Sequence, residues 1–165
     1  MKLVLLSIGG SIPMRIYIAS DHAGFYLKKQ LIQYLQLKGY EVEDIGAYQL
    51  DEDDDYPDFV IPCAQKVAKD QSAVGIVIGG SGQGEAIAAN KVKGIRAAVY
   101  YGGKPEITRL AREHNDTNVL SLAARFLTPE DAKKAVSTWL DTEFDSASRH
   151  QRRHDKITKF EKSQK

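Results

Sequence analysis

Five short runs rich in branched apolar residues alternate with stretches of helical periodicity, and this alternation leaves few folds open to the chain. The runs are "RIYIAS" (15–20), "YEVEDIG" (40–46), "AVGIVIG" (73–79), "GIRAAVYY" (94–101) and "TNVLSLAA" (117–124). Between the first two, Leu27, Leu31, Tyr34 and Leu35 stand at i, i+4, i+7 and i+8, the stripe of an amphipathic helix over 24–39 that Gly39 closes. Further helices are predicted over "FVIPCAQKVAKD" with Asp58 as N-cap, over "EAIAANKV" and over "PEITRLAREHN". Another starts at Thr128, where "TPED" supplies a cap, a first-turn proline and two acids that suit the helix dipole. Strands joined through helices need right-handed crossovers and a parallel sheet covered on both faces. The expected class is therefore α/β: a Rossmann-like three-layer α/β/α sandwich with a five-stranded parallel sheet and a C-terminal helical tail.

With 165 residues, 42% of them apolar and 27% charged, the chain can bury one respectable core. Residues 14–165 read as one domain, with a basic tail from about 148, "SRHQRRHDKITKFEKSQK", that has no place in the sheet and is expected to pack on another subunit. Residues 1–13, "MKLVLLSIGGSIP", read as an upstream extension or an alternative start. They lack a small-x-small cleavage site, and their apolar stretch of about six residues is too short to span a bilayer. A formal net charge of +1 gives no chain-wide grip on nucleic acid or on an anionic membrane, so neither is an expected partner. One cysteine, Cys63, excludes a disulfide or a cysteine zinc site within the chain; it reads as a small core residue and suits a reducing, cytoplasmic setting. The acidic run "DEDDD" (51–55) reads as a solvated loop, since no glycine or later glutamate completes a calcium site.

In open parallel sheets ligands bind at the carboxyl ends of the strands. Those ends carry Ser20, Asp21 and His22, the loop 79–85, the segment 100–103, and Arg125. The loop "GGSGQGE" (79–85) fails three familiar tests. Glu85 stands where a phosphate-binding P-loop needs lysine, and it would repel a triphosphate. A dinucleotide fingerprint begun at Gly80 or Gly82 ends on Glu85 or Ile87 instead of a small residue. A serine nucleophile elbow fails at Gln83. What remains is a turn whose backbone N–H groups can hold a small oxyanion beside the Ser81 hydroxyl and the Glu85 carboxylate. That equipment suits proton transfer next to a carbonyl, where a base works only if the forming enediolate is stabilised. The helix dipole lowers the pKa of Glu85 and burial raises it; the sequence leaves that balance open, and an ordinary first-turn acid remains the other reading.

The motifs "SDHAG" (20–24), "DYP" (55–57), "GGSGQGEAIAANKVKGIRAA" (79–98), "AREHNDTNVL" (111–120), Arg125 and "RHQRR" (149–153) stand in one order. In this the chain resembles the sugar-phosphate isomerases of the ribose-5-phosphate isomerase B type, which include the galactose-6-phosphate isomerase subunits. The resemblance implies aldose–ketose interconversion of a phosphorylated sugar, typically ribose 5-phosphate, through a cis-enediolate and without metal or organic cofactor. It implies a homodimer or dimer of dimers with shared sites. In one branch the base is a cysteine at the place of Gly79; this chain is similar to the other branch, which makes Glu85 the base and Ser81 its hydroxyl partner. By the same resemblance the backbone of Gly80, Gly82, Gln83 and Gly84 forms an anion hole, and His114, aided by Asp21, opens the sugar ring from a partner subunit. Asn115 and Tyr56 hold sugar hydroxyls, while His22, Arg125, Arg149 and Arg153, with His150 beside them, clamp the phosphate. Three departures bear on which sugar is taken. "YYGGKPEITRL" (100–110) places two tyrosines and two glycines where they would reshape the pocket, "AAR" (123–125) replaces a glycine-containing version, and His154 replaces an apolar residue. A hexose 6-phosphate isomerase of allose or galactose type, a non-catalytic sugar-phosphate sensor, and a nucleic-acid-binding tail are the rival readings.

Overall fold

The computed structural model describes residues 14–147 and 149–164; the reading of 1–13 as an extension lies outside the described residues. Five parallel strands form one sheet: β1 (Arg15–Ser20), β2 (Glu41–Asp44), β3 (Val74–Gly79), β4 (Ala97–Tyr100) and β5 (Val119–Ala123), in the order β2-β1-β3-β5-β4. The helices are α1 (Phe25–Leu37), α2 (Pro57–Lys69), α3 (Gln83–Ala89), α4 (Glu106–Asn115), α5 (Pro129–Leu140) and α6 (Arg149–Ser163), with a 3-10 turn (His22–Gly24) ahead of α1. Among the described residues no helix is long and apolar enough to cross a membrane.

Period-2 side-chain alternation explains the two cores. Ile16 and Ile18 of β1 and Ile76 and Ile78 of β3 face one side, where they pack with Leu31 and Leu35 of α1 and Val136 and Trp139 of α5. Tyr17, Ala19 and Val77 face the other, against Val60, Cys63 and Val67 of α2. Cys63 is fully buried, and burial pushes its thiol up to about 12, which keeps it unreactive. Helix ends follow local chemistry. The Thr128 hydroxyl accepts from the Asp131 N–H at 3.1 Å with Pro129 opening α5, and Gly39, at φ 88°, takes the left-handed turn after α1. The expected cap at Asp58 is corrected: Pro57 takes the first helical position, so Tyr56 is the cap residue and Asp58 sits in the first turn as a dipole-favoured acid.

The chain leaves β1 toward β2 and leaves β3 toward β4, in opposite directions along the sheet, so a crevice opens between their carboxyl ends. Two features pin that edge. Gly24 lies directly on β3, where an added Cβ would meet the Ile78 carbonyl oxygen at 2.5 Å. Buried Lys28 of α1 donates to Asp44 Oδ1 and to the Ala47 carbonyl, both at 2.6 Å, and the Ala47 N–H in turn donates to the Ser20 carbonyl at 2.7 Å. The start of the β2–α2 loop is thereby held against the end of β1. Replacing Gly24 with Ala is expected to cost about 1–3 kcal/mol, the usual range for overpacking against unyielding backbone, read as a lower denaturation midpoint. Replacing Gly39 with Ala meets open space and costs only the left-handed backbone strain.

Candidate functional site

β3 ends at Gly79, and α3 begins only four residues later, so the turn between them must be tight; Gly82 adopts φ 74° within it. The turn's carbonyls are committed to the end of β5: Gly79 accepts from the Ala124 N–H at 2.8 Å, Gly80 from the Arg125 N–H at 3.1 Å, and Gly82 from the Ser121 hydroxyl at 2.7 Å. In a planar trans peptide the next N–H points the opposite way. The N–H groups of Gly80, Ser81 and Gln83 therefore turn away from β5, and that of Gln83 reaches Ser81 Oγ at 3.3 Å. Ser81 and Gln83 are exposed at the rim, and Gly84 lies so close to Tyr56 that an added Cβ would stand 2.7 Å from the phenolic oxygen.

Glu85 turns inward from the first turn of α3 and is only 4% exposed. Its carboxylate occupies the space that a side chain on Gly79 would fill, so this carboxylate position and a Cβ at 79 exclude each other. Burial raises its pKa above the ordinary 4.5, its own backbone N–H works against the rise, and the Asp21 carboxylate adds to it. No cation pairs with it among the described residues. Asp21, itself buried, caps the 3-10 turn by accepting from the N–H groups of Ala23 at 2.9 Å and Gly24 at 3.3 Å. Arg125 is exposed, with its guanidinium against Gly80. Ten of the expected residues thus gather on one edge: Asp21, His22, Tyr56, Gly80, Ser81, Gly82, Gln83, Gly84, Glu85 and Arg125.

The other five lie elsewhere. His114 and Asn115 end α4, and Arg149, His150 and Arg153 occupy the first turns of α6. The His114 and His150 rings stack at 4.1 Å with 9° between their planes. Burial, then the nearby charges of His114, Arg149 and Arg153, lower the pKa of His150 against the opposing pull of Asp145. Because α4 connects two parallel strands, it runs from the carboxyl edge back to the amino edge. Its last turn accordingly shares a cavity of about 620 Å³ with amino-edge residues, Arg112 and Asp116 facing Asp70, Ser72 and Val74. That cavity holds neither Ser81 nor Glu85. A six-residue strand of about 3.3 Å rise per residue puts about 17 Å between the two edges. One chain does not bring the two groups together.

Tyr100 corrects another expectation: its ring is buried in the core beside Leu127 and its hydroxyl donates to the Gly103 carbonyl at 2.8 Å, so it does not line the crevice. Tyr101 is exposed. Two residues passed over in the sequence matter here. Ser121, a lone hydroxyl in an apolar strand, orients the Gly82 peptide, and that lone polarity was a readable signal. Asp54 turns out of the acidic run to pair with His22, and nothing in "DEDDD" marks it among its neighbours. Asp21, His22 and Asp54 bring ligand atoms within 4.8 Å of one another, the spacing of a cation site. One atom of each is engaged internally: Asp21 Oδ1 by the capped N–H groups, and His22 Nδ1 with Asp54 Oδ1 at 2.7 Å.

The sign of Glu85's effect on stability follows from its raised pKa. Its contribution is fully present below the unfolded value and is lost as pH rises through the folded one. Glu85→Gln is therefore expected to melt higher than the native chain at neutral pH, with the gain vanishing below 4.5, where both side chains are neutral. Thermal melts across that range check it.

Comparison with known proteins bears on family and fold. The Ribose/Galactose Isomerase family matches residues 16–157. Ribose-5-phosphate isomerase B of Mycolicibacterium paratuberculosis is 44% identical over 150 residues, which cover 91% of this chain and 93% of that protein. The structure of ribose-5-phosphate isomerase B from Mycoplasma genitalium with bound ribulose 5-phosphate superposes with a TM-score of 0.87 at 43% identity, covering 92% of this chain and 98% of that one. The Clostridium thermocellum ribose-5-phosphate isomerase B structure gives 0.85 at 45% identity, covering 90% and 98%. A match across nearly the whole fold, glycine turn included, places this chain in the ribose/galactose isomerase family.

Proposed function

We propose that this protein interconverts ribose 5-phosphate and ribulose 5-phosphate by proton transfer through an enediolate, with Glu85 as the base. The observation that carries the reading is a buried carboxylate, unpaired with any cation among the described residues and raised in pKa, beside outward-turned N–H groups of a glycine loop. A base of raised pKa accepts a proton more readily, and the loop donors stabilise the oxygen on which charge develops. C1 and C2 are adjacent carbons, so one fixed carboxylate serves both transfers. His22 and Arg125 supply phosphate donors from the same edge. Relatives at 42–45% identity are named ribose-5-phosphate isomerase B, and the Mycoplasma genitalium structure has ribulose 5-phosphate bound.

The remaining roles require a second copy of the chain. His114 and Asn115 end α4, which runs back toward the amino edge of the sheet, and α6 with Arg149, His150 and Arg153 is tied to it by the His114–His150 stack; in this reading they complete the crevice of a partner, not their own. In that assembly the partner subunit's His114 opens the sugar ring with Asp21, and the partner's Arg149 and Arg153 close on the phosphate. α6 leaves Ile157 and Phe160 more than 60% exposed in one chain, apolar area for such an interface. A cytoplasmic homodimer, or a dimer of dimers, is the working form.

The direct test is isomerisation of ribose 5-phosphate by the pure protein in the presence of a chelator, with allose and galactose 6-phosphates assayed alongside. Glu85→Gln is expected to lose roughly 10²–10⁴-fold in kcat and to stop deuterium exchange at C2, while phosphate still binds. Retained exchange removes Glu85 from the mechanism. Phosphate binding without turnover in the native protein indicates a sensor. The rate of the native protein should rise with pH along an acid limb whose midpoint lies above 4.5. Shared sites have their own signature: Glu85→Gln and His114→Ala chains, each inactive, should regain about a quarter of native activity when unfolded and refolded together, because half the random dimers carry one intact site of two.

A further inference from the structure

We propose that Asp54 is a positioning residue of the phosphate site: it holds the His22 ring by Nδ1, as an imidazolium, so that Nε2–H is directed toward the phosphate. The proposal rests on the reading of His22 as a phosphate ligand. One oxygen of Asp54 does two jobs, accepting from the His22 backbone N–H at 3.0 Å and pairing with His22 Nδ1 at 2.7 Å. Backbone and ring are thus fixed by one atom. An imidazole has its nitrogens on opposite sides, so a ring held through Nδ1 presents Nε2 away from the holder. Nε2 makes no hydrogen bond to the described residues, and the ring is 28% exposed.

Asp54 differs from the rest of its run. Asp51, Glu52, Asp53 and Asp55 are exposed, whereas the Asp54 side chain is only 8% exposed and its Oδ2 is buried without a partner. Withdrawing a carboxylate from water while leaving one oxygen unmatched is unfavourable, and a cation on the other oxygen offsets it. The loop that carries Asp54 is anchored at its start by the Lys28 contact with Ala47, and at its end by Tyr56 against Gly84, so it approaches the β1 turn as part of the scaffold. Three charged groups act on the ring: Asp54 from the β2–α2 loop, Asp21 from its own turn, and Arg125 from beyond β5. The hydrogen bond to Asp54 is the largest effect; it and Asp21 raise the His22 pKa above 6.5, against desolvation and Arg125. A ring held cationic next to an arginine makes a two-charge anion site, and one that neutralises as pH rises through the raised value.

The test compares the native chain with Asp54→Asn, whose amide oxygen still accepts from the His22 N–H but carries no charge. In an NMR titration of the His22 ring without ligand, the native midpoint should lie above 6.5 and drop in Asp54→Asn. Inorganic phosphate should bind the variant about tenfold more weakly at a pH between the two His22 midpoints, with the difference shrinking as pH falls and both rings protonate. In the isomerase assay the same substitution should raise KM about tenfold and leave kcat within about twofold. An unchanged His22 midpoint, or a loss confined to kcat at constant KM, overturns the proposal. If Asp54→Asn does not fold, the native titration decides alone: a midpoint at or below 6.5 overturns the proposal, and one above it that rises further on adding phosphate supports it. Absence of turnover in the native protein would count against the isomerase reading without touching the titration and phosphate results.

Discussion

A carboxylate held out of water, with no cation paired to it among the described residues, is the constraint on which the rest of this molecule's design turns. Glu85 reaches that state because its oxygens fill the volume next to the Cα of Gly79, under a turn whose carbonyls are bound to β5. The energetic consequence is a carboxylate that takes up a proton more readily than a free glutamate does, which is what a base must do during the reaction. The structural consequence is a demand for glycine. A side chain at 79 would evict the carboxylate, one at 82 would strain a left-handed backbone, and one at 84 would strike the Tyr56 ring. The glycine-rich stretch is therefore packing around a buried charge as much as a cradle for an anion.

The parallel sheet imposes a second consequence. Helices that cover such a sheet return from the carboxyl edge to the amino edge, so whatever ends α4 is carried away from the turn that ends β3. In the proposed assembly, the acid–base equipment at 114 and the cations at 149 and 153 then serve a neighbouring copy. The stacking of His114 on His150 ties the two displaced elements into one unit, and the lowered pKa of His150 reflects burial first and then the positive charges of His114, Arg149 and Arg153 around it. Such a concentration of like charge awaits an anion, and in the proposed assembly the phosphate of the substrate provides it.

Much of the architecture was legible before any coordinates. The five apolar runs mark the five strands: 15–20 coincides with β1, and the other four are trimmed where the run enters a turn, so that 94–101 contains only Ala97–Tyr100. The α2 cap was misread because Asp58 looks like a capping residue, whereas the fixed φ of Pro57 claims the first helical position and pushes the cap back to Tyr56. Tyr100 was read into the pocket because it ends a strand; alternation along that strand sends its ring into the core instead. The direction of the Glu85 pKa was undecidable because two opposing local effects meet there, and only the close approach to Gly79 tells how far burial goes. Asp54 was hidden by its company: one buried acid among five has no signature in composition, and its partner lies 32 residues away.

The central claim is that burial over Gly79 keeps the Glu85 carboxyl poised to take up a proton. Labelling the glutamate side-chain carboxyl carbons and following Glu85 by NMR across the acid range measures this without substrate. The account requires a midpoint above 4.5 in the native protein, displaced toward that value when Gly79→Ala forces the carboxylate outward. A native midpoint at or below 4.5 would mean that the helix dipole outweighs burial, and the chemistry assigned to this residue would have no physical basis.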